Sequence, residues 1–363
     1  MDNARFGAGP SEEWRSYSVA HPELNIDADG KHDNGDPVTL RSAVNAGRDA
    51  GSRALFERDG LGSKITIDDH AVPTRDGSTI TARVYRPANP DRIQSVPAYL
   101  FYHGGGFLFG TTDSESYACS NWALRLGFTV IHVCYRHTPE FVFPTQHHDA
   151  WDGFEWVVAN AEMLMVDPAN IVVGGISAGG SVTAAVVLQE VKLAKQEGRT
   201  VRIKGQLLAI PWLIHREAYP WHLFADREKA SLVQCADAPI LPKQRYDLFT
   251  DLLKVANPKD PLMNVGLSVE EDLTGMPKTA FIVSGYDMLR DDAFIYANTL
   301  ERLQVPTKKH IFPGLPHAFR RWPDLPSSKR WDEVTLGSIQ WCLDESAGCD
   351  DVGSWSVETT QQQ

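Results

Sequence analysis

Short apolar segments recur along the chain from residue 98 onward, and stretches with helical periodicity separate them. Six such segments lie at residues 98–102, 129–134, 171–174, 206–210, 279–284 and 308–312. Apolar runs of this length are typical of strands buried on both faces of a parallel sheet. Intervening stretches, such as 147–161 and 291–303, repeat apolar residues at helical spacing. The alternation predicts an α/β fold with a mostly parallel central sheet and helices on both faces.

The region before residue 98 has a different pattern. Residues 40–56 show a weak helical periodicity, which two glycines on the apolar side make less regular. Segments 65–73 and 79–86 alternate apolar and polar residues around the turn sequence Arg75-Asp76-Gly77-Ser78. This arrangement predicts an antiparallel hairpin at the start of the sheet.

One long interval interrupts the later alternation. Residues 212–265 lie between two predicted strands and are rich in aromatic residues, proline and charge. We interpret them as a helical lid insertion, and a structural excursion without a ligand role is the alternative. The expected organisation is an N-terminal lid segment at 1–60, one main domain at 61–345 that carries the insertion, and a flexible tail at 346–363.

The charge balance excludes several classes of partner. The net charge of −12 argues against non-specific binding to nucleic acid or to an anionic membrane surface, because both need positive potential. No apolar window is long enough for membrane insertion, and the N-terminal residues lack a leader pattern. The five cysteines show no C-x-x-C spacing. We therefore expect reduced thiols, no metal site and a cytoplasmic location.

The segment Gly175-Ile176-Ser177-Ala178-Gly179 follows a predicted strand and precedes a helical stretch. In this setting a G-x-S-x-G pattern is typical of a nucleophile elbow, in which small neighbours allow the strained turn that exposes the serine hydroxyl. A glycine-rich turn with a purely structural role is the alternative. The context favours Ser177 as a nucleophile.

A second glycine motif, His103-Gly104-Gly105-Gly106, follows another predicted strand. Consecutive glycines expose backbone N–H groups that can stabilise an oxyanion. A phosphate-binding loop is disfavoured, because the spacing matches neither common phosphate pattern. A purely structural loop would leave the pairing with the serine motif unexplained.

A serine nucleophile needs a base and an acid that holds the base in place. His310 and His317 lie far enough downstream, and His317 is the better base because it follows a strand within a Pro-Gly loop, whereas His310 lies inside the strand. Asp287 follows the preceding strand and is the best acid. Asp291 and Asp292 are explained as acids in the first turn of a helix.

Together these segments resemble the hormone-sensitive lipase family of α/β-hydrolase fold esterases, whose members carry an HGGG motif. The likeness covers roughly residues 97–343 and includes Tyr135-Arg136-His137-Thr138-Pro139-Glu140 and the acid loop Tyr286-Asp287-Met288-Leu289-Arg290-Asp291. It implies an α/β-hydrolase fold with a helical lid. One position departs from the family, since Ile176 stands where an acidic residue is usual.

The resemblance also implies roles for individual residues. The amides of Gly104, Gly105 and Ala178 would form the oxyanion hole of a Ser177, Asp287 and His317 triad. Aromatic residues near the glycine loop and at the start of the insertion are candidates for substrate binding, namely Phe107, Trp212 and Trp221. Ordinary lid core is the alternative for these aromatics.

The resulting prediction is a serine carboxylesterase that acts on a short-chain or small-metabolite ester through an acyl-enzyme. The same residues would serve an amidase, a lactonase or an acyl-transfer enzyme. A ligand receptor on a hydrolase scaffold is the alternative of another class, although a receptor would not need His317. The chemistry requires no cofactor. The sequence leaves the oligomeric state open, a homodimer included.

Overall fold

In the part of the chain that the structure describes, a nine-stranded sheet forms the centre. The computed structural model describes residues 3–22, 36–88, 95–346 and 354–359. The strands are β1 (Ile65–Pro73), β2 (Thr79–Pro87), β3 (Val96–Tyr102), β4 (Thr129–Cys134), β5 (Val166–Ile176), β6 (Ile203–Ala209), β7 (Lys278–Tyr286), β8 (Thr307–Pro316) and β9 (Ser356–Val357). Their order in the sheet is β1-β2-β4-β3-β5-β6-β7-β8-β9. β1 pairs with β2, and β2 with β4, in antiparallel register, whereas the remaining pairs are parallel. The predicted hairpin and the mostly parallel sheet are confirmed.

Helices cover both faces of this sheet. Those of the described residues are α1 (Glu12–Ala20), α2 (Pro37–Arg58), α3 (Ser116–Leu126), α4 (Thr145–Ala159), α5 (Ala178–Glu197), α6 (Ser231–Gln234), α7 (Lys243–Leu253), α8 (Glu270–Leu273), α9 (Arg290–Arg302) and α10 (Pro326–Leu343). None of them is long and apolar enough to cross a membrane.

Successive residues of β3 point to opposite faces of the sheet, which divides the core in two. Leu100 and Tyr102 belong to an apolar cluster with residues of α4, α5 and α9. Tyr99 and Phe101 belong to a second cluster with residues of α3 and α10. A continuous apolar run therefore marks a strand that is buried on both faces, as the sequence predicts.

The insertion between β6 and β7 is fixed at its base by a buried carboxylate. Oδ2 of Asp292, in the first turn of α9, accepts hydrogen bonds from the amides of Leu213 and Ile214 at 2.9 and 3.0 Å. Asp291 accepts one from the amide of Ser231 at 2.7 Å. These acids thus bind amides of the insertion. They do more than place a favourable charge at the start of a helix, which is the role predicted from the sequence.

Part of the predicted flexible tail is packed on the domain. β9 extends the sheet beside β8, and Trp355 stacks on Phe294 of α9 with the ring centroids 4.0 Å apart. Glu358 lies 2.7 Å from His310 Nδ1 and accepts a hydrogen bond from Arg330 at 2.7 Å. The prediction was wrong for residues 354–359, because a two-residue strand has no periodicity to reveal it. The rest of the tail beyond Ser346, and residues 1–2 and 23–35 of the N-terminal segment, lie outside the described residues.

Candidate active site

Ser177 occupies the sharp turn between β5 and α5. Its backbone angles, φ 57° and ψ −116°, are unusual for a residue with a side chain and mark a strained conformation. A Cβ atom on Gly175 would overlap the carbonyl of Gly179, and one on Gly179 would overlap the carbonyl of Tyr102. The two glycines of the motif are therefore required by the tight approach of strand, turn and helix.

The structure brings Ser177, His317 and Asp287 into one hydrogen-bonded chain. His317 Nε2 lies 3.0 Å from Ser177 Oγ, and His317 Nδ1 lies 2.7 Å from Asp287 Oδ2. A carboxylate can only accept, so Nδ1 carries a proton and Nε2 is left to accept from the serine hydroxyl. This is the tautomer that a general base needs.

Parallel strands place these residues together. Asp287 follows β7 and His317 follows β8, so both emerge at the carboxyl edge of the sheet beside the end of β5. The other oxygen of Asp287 accepts a hydrogen bond from the amide of Leu289 at 3.0 Å. The carboxylate is buried and held on both sides, which fixes the orientation of the histidine ring.

The loop that follows β3, residues 103–111, lies directly against the serine turn and is called the glycine loop below. A Cβ on Gly104 would lie 2.8 Å from the carbonyl oxygen of Ile176, and one on Gly105 would overlap the carbonyl of Phe109. Among the described residues, the amides of Gly104 and Gly105 donate no hydrogen bond. Ala178 is the first residue of α5, where the helix leaves amides unpaired. Three amides beside the serine turn therefore have no hydrogen-bond acceptor within the described part of the chain.

Helix α2 is attached to the glycine loop by polar contacts. Asp36 caps its first turn and Pro37 occupies its first position, which favours helix initiation. Asn45 accepts a hydrogen bond from the amide of Gly110 at 2.9 Å. Asp49 accepts one from the Thr111 hydroxyl at 2.5 Å. This part of the N-terminal segment therefore belongs to the site.

A pocket of about 630 Å³, part of it open to solvent, surrounds the serine and the histidine. Apolar walls come from Phe109 in the glycine loop and from Ile240, Leu241 and Phe249 in the insertion. Ile176 also lines the pocket, so it presents apolar surface at the position where an acid was expected.

Charged side chains complete the lining. Arginines from three parts of the chain, and one glutamate, face the same space, and they are Arg48, Arg245, Arg320, Arg321 and Glu115. None of these residues was predicted from the sequence. Arg320 and Arg321 follow His317 closely, which is the one sequence signal that could have revealed them. No sequence pattern indicates a binding role for Arg48, because charged residues on a polar helix usually form its solvent-exposed face.

The three aromatic candidates for substrate binding do not line this pocket. Phe107 is fully buried and packs on Trp212, with the ring centroids 5.6 Å apart. The indole N–H of Trp212 donates to the carbonyl of Ile214 at 3.0 Å. Trp221 packs on Tyr219 within the insertion. The prediction was wrong for this pocket, because aromatic residues bury equally well in the core of the domain and of the insertion.

Buried histidines lie behind the glycine loop. The ring of His103 stacks on Tyr135 with centroids 4.4 Å apart and contacts His132 edge-on. Burial lowers the pKa of His103 to about 4 and the pKa of His132 to about 3. Burial also lowers the pKa of His147, at the start of α4, to about 3. All three histidines are therefore neutral at pH 7.

These shifts predict a loss of stability in mild acid. In the unfolded chain each histidine has a pKa near 6.5 and therefore binds a proton more readily than in the folded protein. The free energy of unfolding is thus highest above pH 6.5 and falls as the pH drops toward 4. From pH 7 to pH 5 each should cost about 2 kcal/mol of unfolding free energy. Urea unfolding at pH 7, 6 and 5 measures the effect, and His132→Leu should reduce the slope. An unfolding free energy independent of pH over this range would contradict the prediction.

Comparison with known proteins identifies the family of this chain. Residues 99–321 match a protein family described as alpha/beta hydrolase fold. The chain belongs to the hormone-sensitive lipase-like family of α/β hydrolases. It is 31% identical over 253 residues to the versiconal hemiacetal acetate esterase of Dothistroma septosporum. The matched region covers 70% of this chain and 75% of that protein. It is 29% identical to the esterase LipI of Mycobacterium tuberculosis over 78% of this chain and 85% of that one.

Solved structures of this α/β-hydrolase family superpose over nearly the whole chain. A vibralactone cyclase has a TM-score of 0.82 at 25% identity, with 93% of this chain and 96% of that chain covered. A bacterial heroin esterase has a TM-score of 0.76 at 27% identity, with 93% and 99% covered. The predicted fold is confirmed, and the family and its relatives make this chain a carboxylic-ester hydrolase.

Proposed function

We propose that this hydrolase cleaves small carboxylic esters through a covalent acyl-enzyme on Ser177. The observation that carries the proposal is the hydrogen-bonded chain from Ser177 through His317 to Asp287, which opens onto the pocket. A serine hydroxyl is a weak nucleophile, and this arrangement supplies both the base and the group that orients it.

The proposed cycle uses the residues in the order of their contacts. Ser177 Oγ attacks the ester carbonyl carbon while His317 Nε2 takes its proton. The amides of Gly104, Gly105 and Ala178 donate to the oxyanion of the tetrahedral intermediate, and one such donor is typically worth about 3 kcal/mol of transition-state stabilisation. His317 then protonates the leaving alcohol oxygen. Water, deprotonated by the same histidine, releases the carboxylic acid and restores Ser177.

Close contacts between the walls of the pocket favour a substrate with a short acyl chain. Phe109 and Phe249 stand edge to face with centroids 5.4 Å apart, and both line the space in front of Ser177. A Cβ on Gly106 would overlap the ring of Phe249, so the lid and the glycine loop are in close contact. This contact restricts the room for a long acyl chain.

A series of p-nitrophenyl esters from acetate to decanoate tests the proposal. We expect kcat/KM to be highest for short chains and to fall as the chain outgrows the pocket. A fluorophosphonate probe, followed by peptide mass mapping, should label Ser177 and leave the other serines unmodified. Absence of both turnover and labelling would contradict the proposal. A second assay with an alcohol or amine acceptor separates hydrolysis from acyl transfer, because transfer would give a new ester or amide.

We also propose a cytoplasmic location and a small ester as the main binding partner. Four cysteines of the described residues, Cys119, Cys134, Cys235 and Cys342, are free thiols. Unpaired thiols are usual in a reducing compartment. The homodimer raised by the sequence analysis remains a prediction.

A further inference from the structure

The pocket is cationic although the protein is strongly acidic. Four of its lining residues are arginines and one is a glutamate, on a chain whose net charge is −12. Glu115 accepts a hydrogen bond from Arg320 at 2.7 Å, so its charge is already compensated. A positively charged cleft with low-dielectric walls concentrates anions and raises their rate of entry. The guanidinium groups that line the pocket therefore favour a negatively charged ligand.

Arg48 contacts the glycine loop that lies against Ser177. Its Nη1 donates a hydrogen bond to the carbonyl of Gly104 at 3.2 Å, and its guanidinium lies over the ring of Phe109 at 5.3 Å. Gly104 in turn lies against the turn of Ser177. The side chain thus reaches from α2 across the pocket to the glycine loop, next to the position of the scissile ester.

The guanidinium of Arg48 lacks an anionic partner. It forms no ion pair among the described residues, and its Nε is buried without a hydrogen-bond acceptor. Burial lowers the pKa of Arg48 well below the usual range, the nearby charge of Arg321 lowers it further, and the carboxylate of Glu115 offsets only part of this effect. A buried charge without a counter-ion is destabilising unless a ligand supplies one.

The free donors of Arg48 indicate the shape of the missing anion. Nη1 is engaged by Gly104, which leaves Nε and Nη2 on one side of the planar group without an acceptor among the described residues. This edge of a guanidinium matches the two oxygens of a carboxylate. We infer that the substrate is an ester that also carries a carboxylate, and that Arg48 binds this carboxylate beside the glycine loop. The inference rests on the proposed ester hydrolysis.

Matched pairs of esters test the inference, since the carboxylate can belong to either half of the substrate. The acyl-side pair is mono-p-nitrophenyl glutarate and p-nitrophenyl pentanoate. The alcohol-side pair is 3-acetoxybenzoate and 3-methylphenyl acetate. For each pair we compare kcat/KM of the charged and the neutral ester, after subtraction of the uncatalysed rate. The ratio does not depend on how much of a preparation is folded.

We expect the wild-type ratio to favour the charged ester by about tenfold or more in one of the pairs, as for a hydrogen bond to a charged group. Arg48→Met should bring that ratio to about 1, and Arg48→Lys should preserve part of it. Arg53→Met is the control variant, because it removes the same charge from an exposed position on the same helix, outside the pocket. Its ratio should equal that of the wild type.

Several outcomes would overturn the inference. A wild-type ratio near 1 in both pairs would show that the pocket does not select a carboxylate. Equal losses on charged and neutral esters in Arg48→Met would show that Arg48 only supports the glycine loop. No turnover of any of the four esters would overturn the proposed function, and with it this inference, whereas turnover of neutral esters alone leaves the proposed function intact.

Discussion

Replacement of Ser177 by alanine is expected to lower kcat for p-nitrophenyl butyrate by about 10⁶-fold, as loss of a triad nucleophile typically does. The variant keeps the amides and the pocket but has no atom that can form the acyl-enzyme. The positive φ of residue 177 is as strained for alanine as it is for serine. The substitution should therefore neither disrupt the fold nor stabilise it. Initial rates at high enzyme concentration measure the loss.

Ser181→Ala is the matched control for this variant. Ser181 lies one turn further along α5, and its hydroxyl is 3.4 Å from His147 Nε2, away from the triad histidine. Loss of this hydroxyl should leave the esterase activity and probe labelling in place. Comparable activity of Ser177→Ala and the wild type would show that another residue forms the acyl-enzyme, and labelling of a different serine would identify it.

The sequence was sufficient to predict that Ser177, Asp287 and His317 lie together, because local and global patterns coincide there. The apolar run that becomes β5 ends at the G-x-S-x-G turn, and the strands before Asp287 and His317 end in the same way. Parallel strands bring their carboxyl ends to one edge, so chain order and strand order fix the relative positions of the three residues. No knowledge of side-chain packing was needed.

The substrate pocket could not be predicted by the same reasoning. Its walls come from α2, from the glycine loop and from the insertion, which are far apart in sequence and follow no common period. Of the aromatic residues predicted to bind substrate, Phe107 and Trp212 are buried in the core and Trp221 packs on Tyr219 within the insertion. Arg48 lies on a helix whose charged residues all look like a solvated face until the tertiary contacts with Gly104 are known. Specificity in this fold therefore depends on contacts that only the assembled structure reveals.

Replacement of Asp287 by asparagine is expected to lower kcat by about 10⁴-fold with little change in structure. The amide of Leu289 donates to one carboxylate oxygen of Asp287, so the carbonyl of an asparagine would take that position and its NH₂ group would face His317. An NH₂ group donates to Nδ1, which moves the ring proton to Nε2. The histidine then cannot accept the proton of Ser177, and the negative charge that stabilises the imidazolium is also lost.

Asp291→Asn provides the contrasting variant, since Asp291 is equally buried but serves the fold. Its carboxylate pairs with Arg290 at 3.0 Å and accepts from the amide of Ser231, so its neutralisation leaves a buried guanidinium without its counter-ion. Breaking such a pair typically costs about 3 kcal/mol or more. We therefore expect Asp291→Asn to lower the urea midpoint while the folded enzyme keeps most of its kcat. Asp287→Asn should lower kcat and leave the urea midpoint nearly unchanged. If both variants lost kcat and stability in parallel, Asp287 would act in the fold and not in orienting His317.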